Sequence, residues 1–205
     1  MRFIGHLDWQ AMQQALYIKA GFKIAIGEGP TRKLKMKTSP PTPVGVESMC
    51  EYTYLQLAEA LYPCEAIRRL VNICPDGIEP VMAMDASHLS TKNPFAMIAA
   101  ASYKFSPGNG SSGEISSSVI DELERIRTGS VDGSAEETKA FRGRILEINP
   151  DSGNINLLVK QEEGDTFHGA KCAAWLEETL SLPYFPIFTK LDYFRLKPSK
   201  RRLFT

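Results

Sequence analysis

Four cations fall within six positions, at Arg32, Lys33, Lys35 and Lys37. They lie between a glycine-bounded turn at Gly27 and Gly29 and the prolines Pro40, Pro41 and Pro43. Cations held this close can gather around an anion, such as a phosphate or a carboxylate. A run of charge is just as often a solvated face. Proline fixes φ and removes an N–H, so the segment reads as a stiff basic loop over residues 29–43 rather than as ladder strand. Preorganised cations lose less entropy on contact, which tips the balance toward binding. Gly29 and Gly45 are expected to serve backbone geometry, and Pro43 to stiffen the exit.

His6 and Asp8 are the other candidates for chemistry. His6 is read either as a general acid or base or as a structural histidine at a helix start. The structural reading is preferred, because no nucleophile or acid partner stands at fixed spacing from it. Asp8 is more in keeping with a helix N-cap than a catalyst. Glu47 is read as a ligand of the basic loop or as a partner of Lys35 or Lys37. Surface pairs of that kind contribute little. There is no P-loop, dinucleotide fingerprint, His-Glu-x-x-His run or nucleophile elbow.

The charge total is zero, with 24 Lys and Arg against 24 Asp and Glu. That balance argues against indiscriminate coating of nucleic acid. The charge is unevenly placed, however: the chain is basic over residues 1–40 and again over 191–205. Such ends permit a local anion site, and the tail 197–202 either extends it or is a frayed end. The four cysteines, Cys50, Cys64, Cys74 and Cys172, have no C-x-x-C spacing and no neighbouring His. They are therefore expected to be buried, reduced thiols, and the chain to bind no metal or cluster of its own. No signal peptide or membrane-spanning run is evident, and the expected location is the cytoplasm.

Periodicity places the elements that must hold these residues. Trp9, Met12, Leu16 and Ala20 share one face of a helix over Trp9–Ala20, with Asp8 as its N-cap and Gly21 ending it. Phe22–Ile26 reads as a strand with Lys23 outward, and Glu51–Leu57 as a second strand. A helix follows over Cys64–Ile73 behind Pro63, and then a strand at Ile78–Ala83. The polar stretch Asp85–Asn93 divides the chain into modules 1–93 and 94–205. In the second, Ser102–Ser106 is a strand and Pro107–Glu114 a loop. Ser116–Arg127 is a helix, and Ser130–Thr138 a second loop. A hairpin joins Arg144–Ile148 to Asn154–Lys160, with Asn149–Gly153 as its turn. Gly169–Leu180 is a helix and Phe188–Leu196 a strand. Both modules fit one β-α-β-β-α-β plan. The fold class is α+β, as two tandem ferredoxin-like modules, the first without most of its first strand.

The opening Arg2-Phe3-Ile4-Gly5-His6-Leu7-Asp8 resembles the R-F-x-S-H-L-D signature of the radical-SAM-linked protein family, a bacterial-type domain of unknown function. The similarity runs without gaps through Ala15-Leu16, Ala20-Gly21, Glu28-Gly29 and Lys35. It continues through Pro40-Pro41-Thr42-Pro43-Val44-Gly45-Val46-Glu47-Ser48 to Glu51-Tyr52. Two departures stand out. Pro30–Leu34 replaces an F-N-P-R-P run, and Gly5 replaces a serine. The second half resembles the family only in outline.

The resemblance implies that relatives carry a further strand ahead of the R-F motif, so the expected start lies upstream of Met1. It also implies a partner, a radical SAM enzyme that itself holds the iron-sulfur cluster and S-adenosylmethionine. The function expected is then a noncatalytic accessory or substrate-binding module for that enzyme, with RNA as the bound substrate and neither membrane nor DNA involved. The alternatives are an RNA-processing enzyme using His6 with Lys33 or Lys35, and a protein–protein scaffold.

Overall fold

The computed structural model describes residues 3–89, 93–108, 115–131, 138–161, 167–182, 186–195 and 201–202. Its helices are α1 (His6–Lys19), α2 (Pro63–Val71), α3 (Ser117–Thr128) and α4 (Gly169–Leu180). Its strands are β1 (Met36–Thr38), β2 (Glu47–Ser48), β3 (Thr53–Leu55), β4 (Ala100–Ser106), β5 (Ile145–Asp151), β6 (Asn154–Lys160), β7 (Ile187–Arg195) and β8 (Arg201–Arg202). The chain is α+β and forms two compact units. The first holds Phe3–Ser39 and Glu51–Ala96, and the second Pro40–Cys50 and Met97–Thr205. Where the sequence pointed to one break near residue 93, Pro40–Cys50 joins the later unit.

In the first unit α1 begins at His6, three residues before the expected start. Gly5 is its N-cap, without a side-chain cap hydrogen bond, and Asp8 lies in the first turn. Asp8 is thus not the cap. Its carboxylate still favours the positive end of the helix dipole there. Gly21, at φ +76°, takes the chain out of the helix. Pro63 opens α2, where its missing N–H leaves nothing unsatisfied. Glu65 on α2 accepts hydrogen bonds from Arg68 and Arg69, which hold its carboxyl down at about 2.

Three extended segments form the small sheet of this unit, and they pair in a ring. β1 pairs antiparallel with β3. Residues 22–27 bridge to both, Ile26 to Leu34 and Ile24 to Leu57. At the centre Ala25 N–H donates to Gln56 O (2.8 Å), Gln56 N–H to Lys35 O (3.0 Å), and Lys35 N–H to Ala25 O (2.8 Å). Each of these three residues has both backbone groups satisfied. Residues 23, 25 and 27 all pair from one edge of the 22–27 segment, first with 56–58 and then with 33–35. Phe22 and Ile24 are buried with Ala66 of α2, and Tyr17, Leu34, Leu55, Leu57 and Leu70 pack around them. Tyr17 and Phe22 meet edge to face. No strand forms at residues 78–83, where Val81 and Met82 are exposed instead.

The second unit is built on a sheet ordered β2-β7-β4-β6-β5, with β8 also paired to β7. β7, β4, β6 and β5 are antiparallel neighbours, and β2 runs parallel to β7. α3 packs on β5, α4 packs on β7, and the two helices touch. Val119, Leu123 and Ile126 of α3 and Cys172, Ala173 and Leu176 of α4 are all fully buried. Phe167 meets Tyr103 and Phe188 edge to face, and Phe105 meets Phe188 in the same way. Complete burial of side chains this size contributes roughly 1.5–3 kcal/mol each.

The β5–β6 hairpin turns on two residues, Ser152 (φ 36°) and Gly153 (φ 83°), so the strands run further into the turn than the sequence predicted. β5 is an edge strand, which lets Pro150 sit in it. The expected loops at 107–114 and 130–138 and the tail 197–202 lie largely outside the described residues. The thiol expectation needs one correction: Cys50 and Cys172 are buried, but Cys64 is exposed.

Gly45 has φ +91°, and a Cβ there would lie 2.8 Å from the Ala170 Cβ. Gly153 shares the left-handed conformation but has open space around it. Gly45→Ala is therefore expected to cost about 2–4 kcal/mol, from strain and overpacking together. Gly153→Ala should cost only about 1–2 kcal/mol. Urea denaturation of the two variants checks the difference.

His168 precedes α4, and burial, with Lys171 and Arg144 nearby, holds its imidazole below the usual histidine range. Between its lowered folded pKa and the unfolded value near ~6.5, the unfolded chain binds more protons. Stability contributed by neutral His168 is therefore full above that unfolded value and is lost as pH falls through the folded one. His168→Gln is expected to flatten the acid limb of a melting-temperature-against-pH curve.

Candidate anion-binding face

The ring of backbone hydrogen bonds decides where the lysines point. Along residues 33–38 Lys33, Lys35 and Lys37 are exposed, while Leu34, Met36 and Thr38 are half-buried. That is the period of an extended strand, in which alternate side chains share a face. The three lysines thus stand in a row on β1 and its lead-in rather than on a stiff loop. The prolines begin only where the chain leaves the first unit, at Pro40. Arg32 is not part of the row. It is exposed in the turn, at φ 41°, with its N–H donating to Gly29 O at 3.0 Å.

Pairing extends this face. Opposed residues of an antiparallel pair point the same way. Lys37 lies opposite Tyr54, and Lys35 is backbone-bonded to both Ala25 and Gln56. Ala25 shares its face with Lys23, and Lys33 O accepts from Gly27 N–H at 2.8 Å. The outward face therefore carries Lys23, Lys33, Lys35, Lys37, Tyr54 and Gln56 around the small residues Ala25, Gly27 and Ala58. No acid occupies any of these positions. The four lysines form no ion pair with any described residue. The opposite face, with Phe22, Ile24, Leu34, Leu55 and Leu57, is the one on which Tyr17 of α1 and its C-cap Ala20 pack.

Lys23, Tyr54 and Gln56 were not among the expected binding residues. The signal for Lys23 was present in the alternation of 22–26. The other two needed the register between β1 and β3, which no local pattern supplies.

His6 starts α1, and its Nδ1 is buried without a hydrogen-bond partner among the described residues. Gly29 lies in a turn, its O accepting from Arg32 N–H, and does not have positive φ, whereas Gly45 does. Pro43 O accepts from Val46 N–H at 3.2 Å, closing the turn around Gly45. Glu47 lies in β2 of the second unit and takes a hydrogen bond from Thr189 Oγ1 at 3.4 Å. Among the described residues no group of three or more His, Cys, Asp or Glu is placed to hold a metal ion. No described helix is long and apolar enough to cross a membrane.

Lys190 of the second unit is buried, at 1% exposure. In β7 the register slips between the partners of Ser102 and Tyr103, so Leu191 has no partner on β4. In a regular strand residues 190 and 193 would point to opposite faces. The extra residue of the bulge turns them to the same one. Lys190 Nζ donates to Tyr193 Oη at 2.6 Å, and Tyr193 Oη donates to Pro40 O at 2.7 Å. The ammonium also lies 4.7 Å from the centre of the Tyr193 ring. Tyr103 is paired with Lys190 across the strands and takes a hydrogen bond from Gln161. Burial pushes its hydroxyl pKa up, against the pull of Lys190. This buried group anchors Pro40, whereas the lysines of the first unit face water.

The two kinds of lysine environment predict stability effects of different size. Tyr193→Phe leaves a buried ammonium and a carbonyl each short of a hydrogen bond, and should cost about 1–3 kcal/mol. Lys35→Ala or Lys37→Ala, on an exposed face, should stay within about 0.5 kcal/mol of the parent. Guanidinium unfolding followed by circular dichroism separates them.

No curated protein and no solved structure matches the chain. A family model described as an uncharacterized protein conserved in bacteria (DUF2344) matches residues 1–168. That span covers the whole first unit, the Pro40–Cys50 segment and the second unit as far as the residue before α4. The chain belongs to this bacterial family of uncharacterized proteins.

Proposed function

We propose that this protein is a noncatalytic accessory module that presents an RNA strand, on the lysine face of its first unit, to a separate radical SAM enzyme. One observation carries the binding reading. Lys23, Lys33, Lys35 and Lys37 share a face that has no acid and forms no ion pair with a described residue. Four unneutralised charges so close together repel one another, and a polyanion relieves that repulsion. The partner rests on the sequence resemblance over residues 2–52. On this reading the enzyme holds the iron-sulfur cluster and S-adenosylmethionine, and both work in the cytoplasm. The tandem ferredoxin-like reading is kept for the second unit, whose β4-α3-β5-β6-α4-β7 order and antiparallel β7-β4-β6-β5 arrangement suit it.

An enzymatic role for His6 with Lys33 or Lys35 draws no support from this arrangement. α1 packs on the core side of the sheet, and the lysines stand on the other side. The scaffold alternative makes an acidic protein the occupant of the same lysines, and competition decides between the two.

Binding of a labelled single-stranded RNA, measured across a salt series, tests the proposal. Each phosphate contact adds about 0.7 to the slope of log affinity against log salt. The Lys35→Ala/Lys37→Ala double variant is expected to flatten that slope by about 1.4. An unchanged slope would move the site away from this face. Polyglutamate competing as well as RNA at equal charge would favour the scaffold. For the partner, tagged protein should retain a radical SAM enzyme through nuclease treatment. Its absence from the captured material would remove that half of the proposal.

A further inference from the structure

We infer that the lysine face is built for unpaired, single-stranded RNA, with one base stacked on Tyr54 and the sugar-phosphate chain running along β1. This rests on the binding reading above and specifies its ligand. Charge alone would suit any polyanion, so the choice lies with the uncharged residues of the face. Lys33, Lys35 and Lys37 occur at every second residue of one extended segment, a linear row rather than a cluster. Tyr54 is half-buried and directly opposite Lys37, so its ring stands beside the last cation of that row. Opposed side chains of an antiparallel pair start only about 4.5–5.5 Å apart. A base on the ring thus lies within reach of a phosphate on the lysine.

Gln56 is exposed and joined by backbone to Lys35. Its amide offers a donor and an acceptor, the pair needed for a base edge or a ribose 2′-hydroxyl. Ala25, Gly27 and Ala58 leave the floor between them low. An aromatic platform, a neighbouring amide and a row of cations on an open sheet are the parts that bind unstacked bases. A duplex hides its bases and has no use for Tyr54. An acidic peptide would use the lysines and ignore the ring.

The probe is a fluorescein-labelled oligouridylate of about ten nucleotides, titrated with the full chain. Tyr54→Ala is expected to weaken binding about tenfold and to leave the salt slope unchanged, because stacking releases no counterions. Tyr54→Phe should bind like the parent. Tyr54→Leu, which keeps apolar bulk at the position, should lose as much as Tyr54→Ala, with an unchanged melting temperature as the check on folding. Lys35→Ala should do the reverse of the ring variants and lower the slope by about 0.7. An RNA duplex and heparin, at matched charge, should compete weakly.

If Tyr54→Ala and Tyr54→Leu bind like the parent while the lysine variants lower the slope, the stacking inference is overturned and the polyanion reading stands. If the lysine variants change nothing, the underlying reading fails. Equal competition by the duplex, or equal affinity for oligodeoxythymidylate, overturns the assignment to single-stranded RNA.

Discussion

Three backbone hydrogen bonds, closed in a ring through Ala25, Lys35 and Gln56, set the geometry of the first unit. Two strands alone would leave an open edge on each side. Adding 22–27 against both others removes the inner edges, so a unit with only short strands satisfies its backbone where the three meet. The ring also fixes register. A one-residue slip in any segment would turn its apolar side chains outward and its polar ones inward. Phe22, Ile24, Leu34, Leu55 and Leu57 can then face α1 and α2 only if Lys23, Lys33, Lys35, Lys37 and Gln56 face away. The basic surface is thus the reverse side of the core and follows from the same alternation.

Much of this was legible in the chain and some of it was not. The helices were plain because their apolar residues recur at three and four, and Pro63 and Gly21 start or stop them for steric reasons. Edges were less plain. α1 begins at His6 because Gly5 accepts the N-cap position without a side-chain cap, so Asp8, the better capping residue, was a misleading marker. The lysine row was read as a loop because the prolines after it were allowed to speak for the residues before it. Leu34, Met36 and Thr38 between the lysines had the strand period all along. The places of Tyr54 and Gln56 were beyond local reading, since they depend on which residue of β3 lies opposite Lys37. The strand expected at 78–83 did not form.

Two lysine environments in one chain show how context divides a single residue type. On the sheet face the ammonium groups keep their water, so they remain available to a ligand. Lys190 has given up its water. It needs the Tyr193 hydroxyl, the face of the Tyr193 ring and the bulge at Leu191 that brings them together. A buried cation of this kind is a fastening. Its hydroxyl partner reaches Pro40, where the basic strand ends and the segment of the second unit begins.

That segment also bears on how the chain is made. β2 pairs with β7, and Glu47 and Thr189 are 142 positions apart. A ribosome adding about 5–20 residues per second needs on the order of ten seconds to supply the second strand after the first has emerged. Through that interval the Pro40–Cys50 segment has no partner strand, although the ring of the first unit, completed by residue 58, already holds its two flanks. The early unit then acts as a clamp on a loop kept waiting, short and proline-rich enough to resist mispairing, until β7 arrives to receive it.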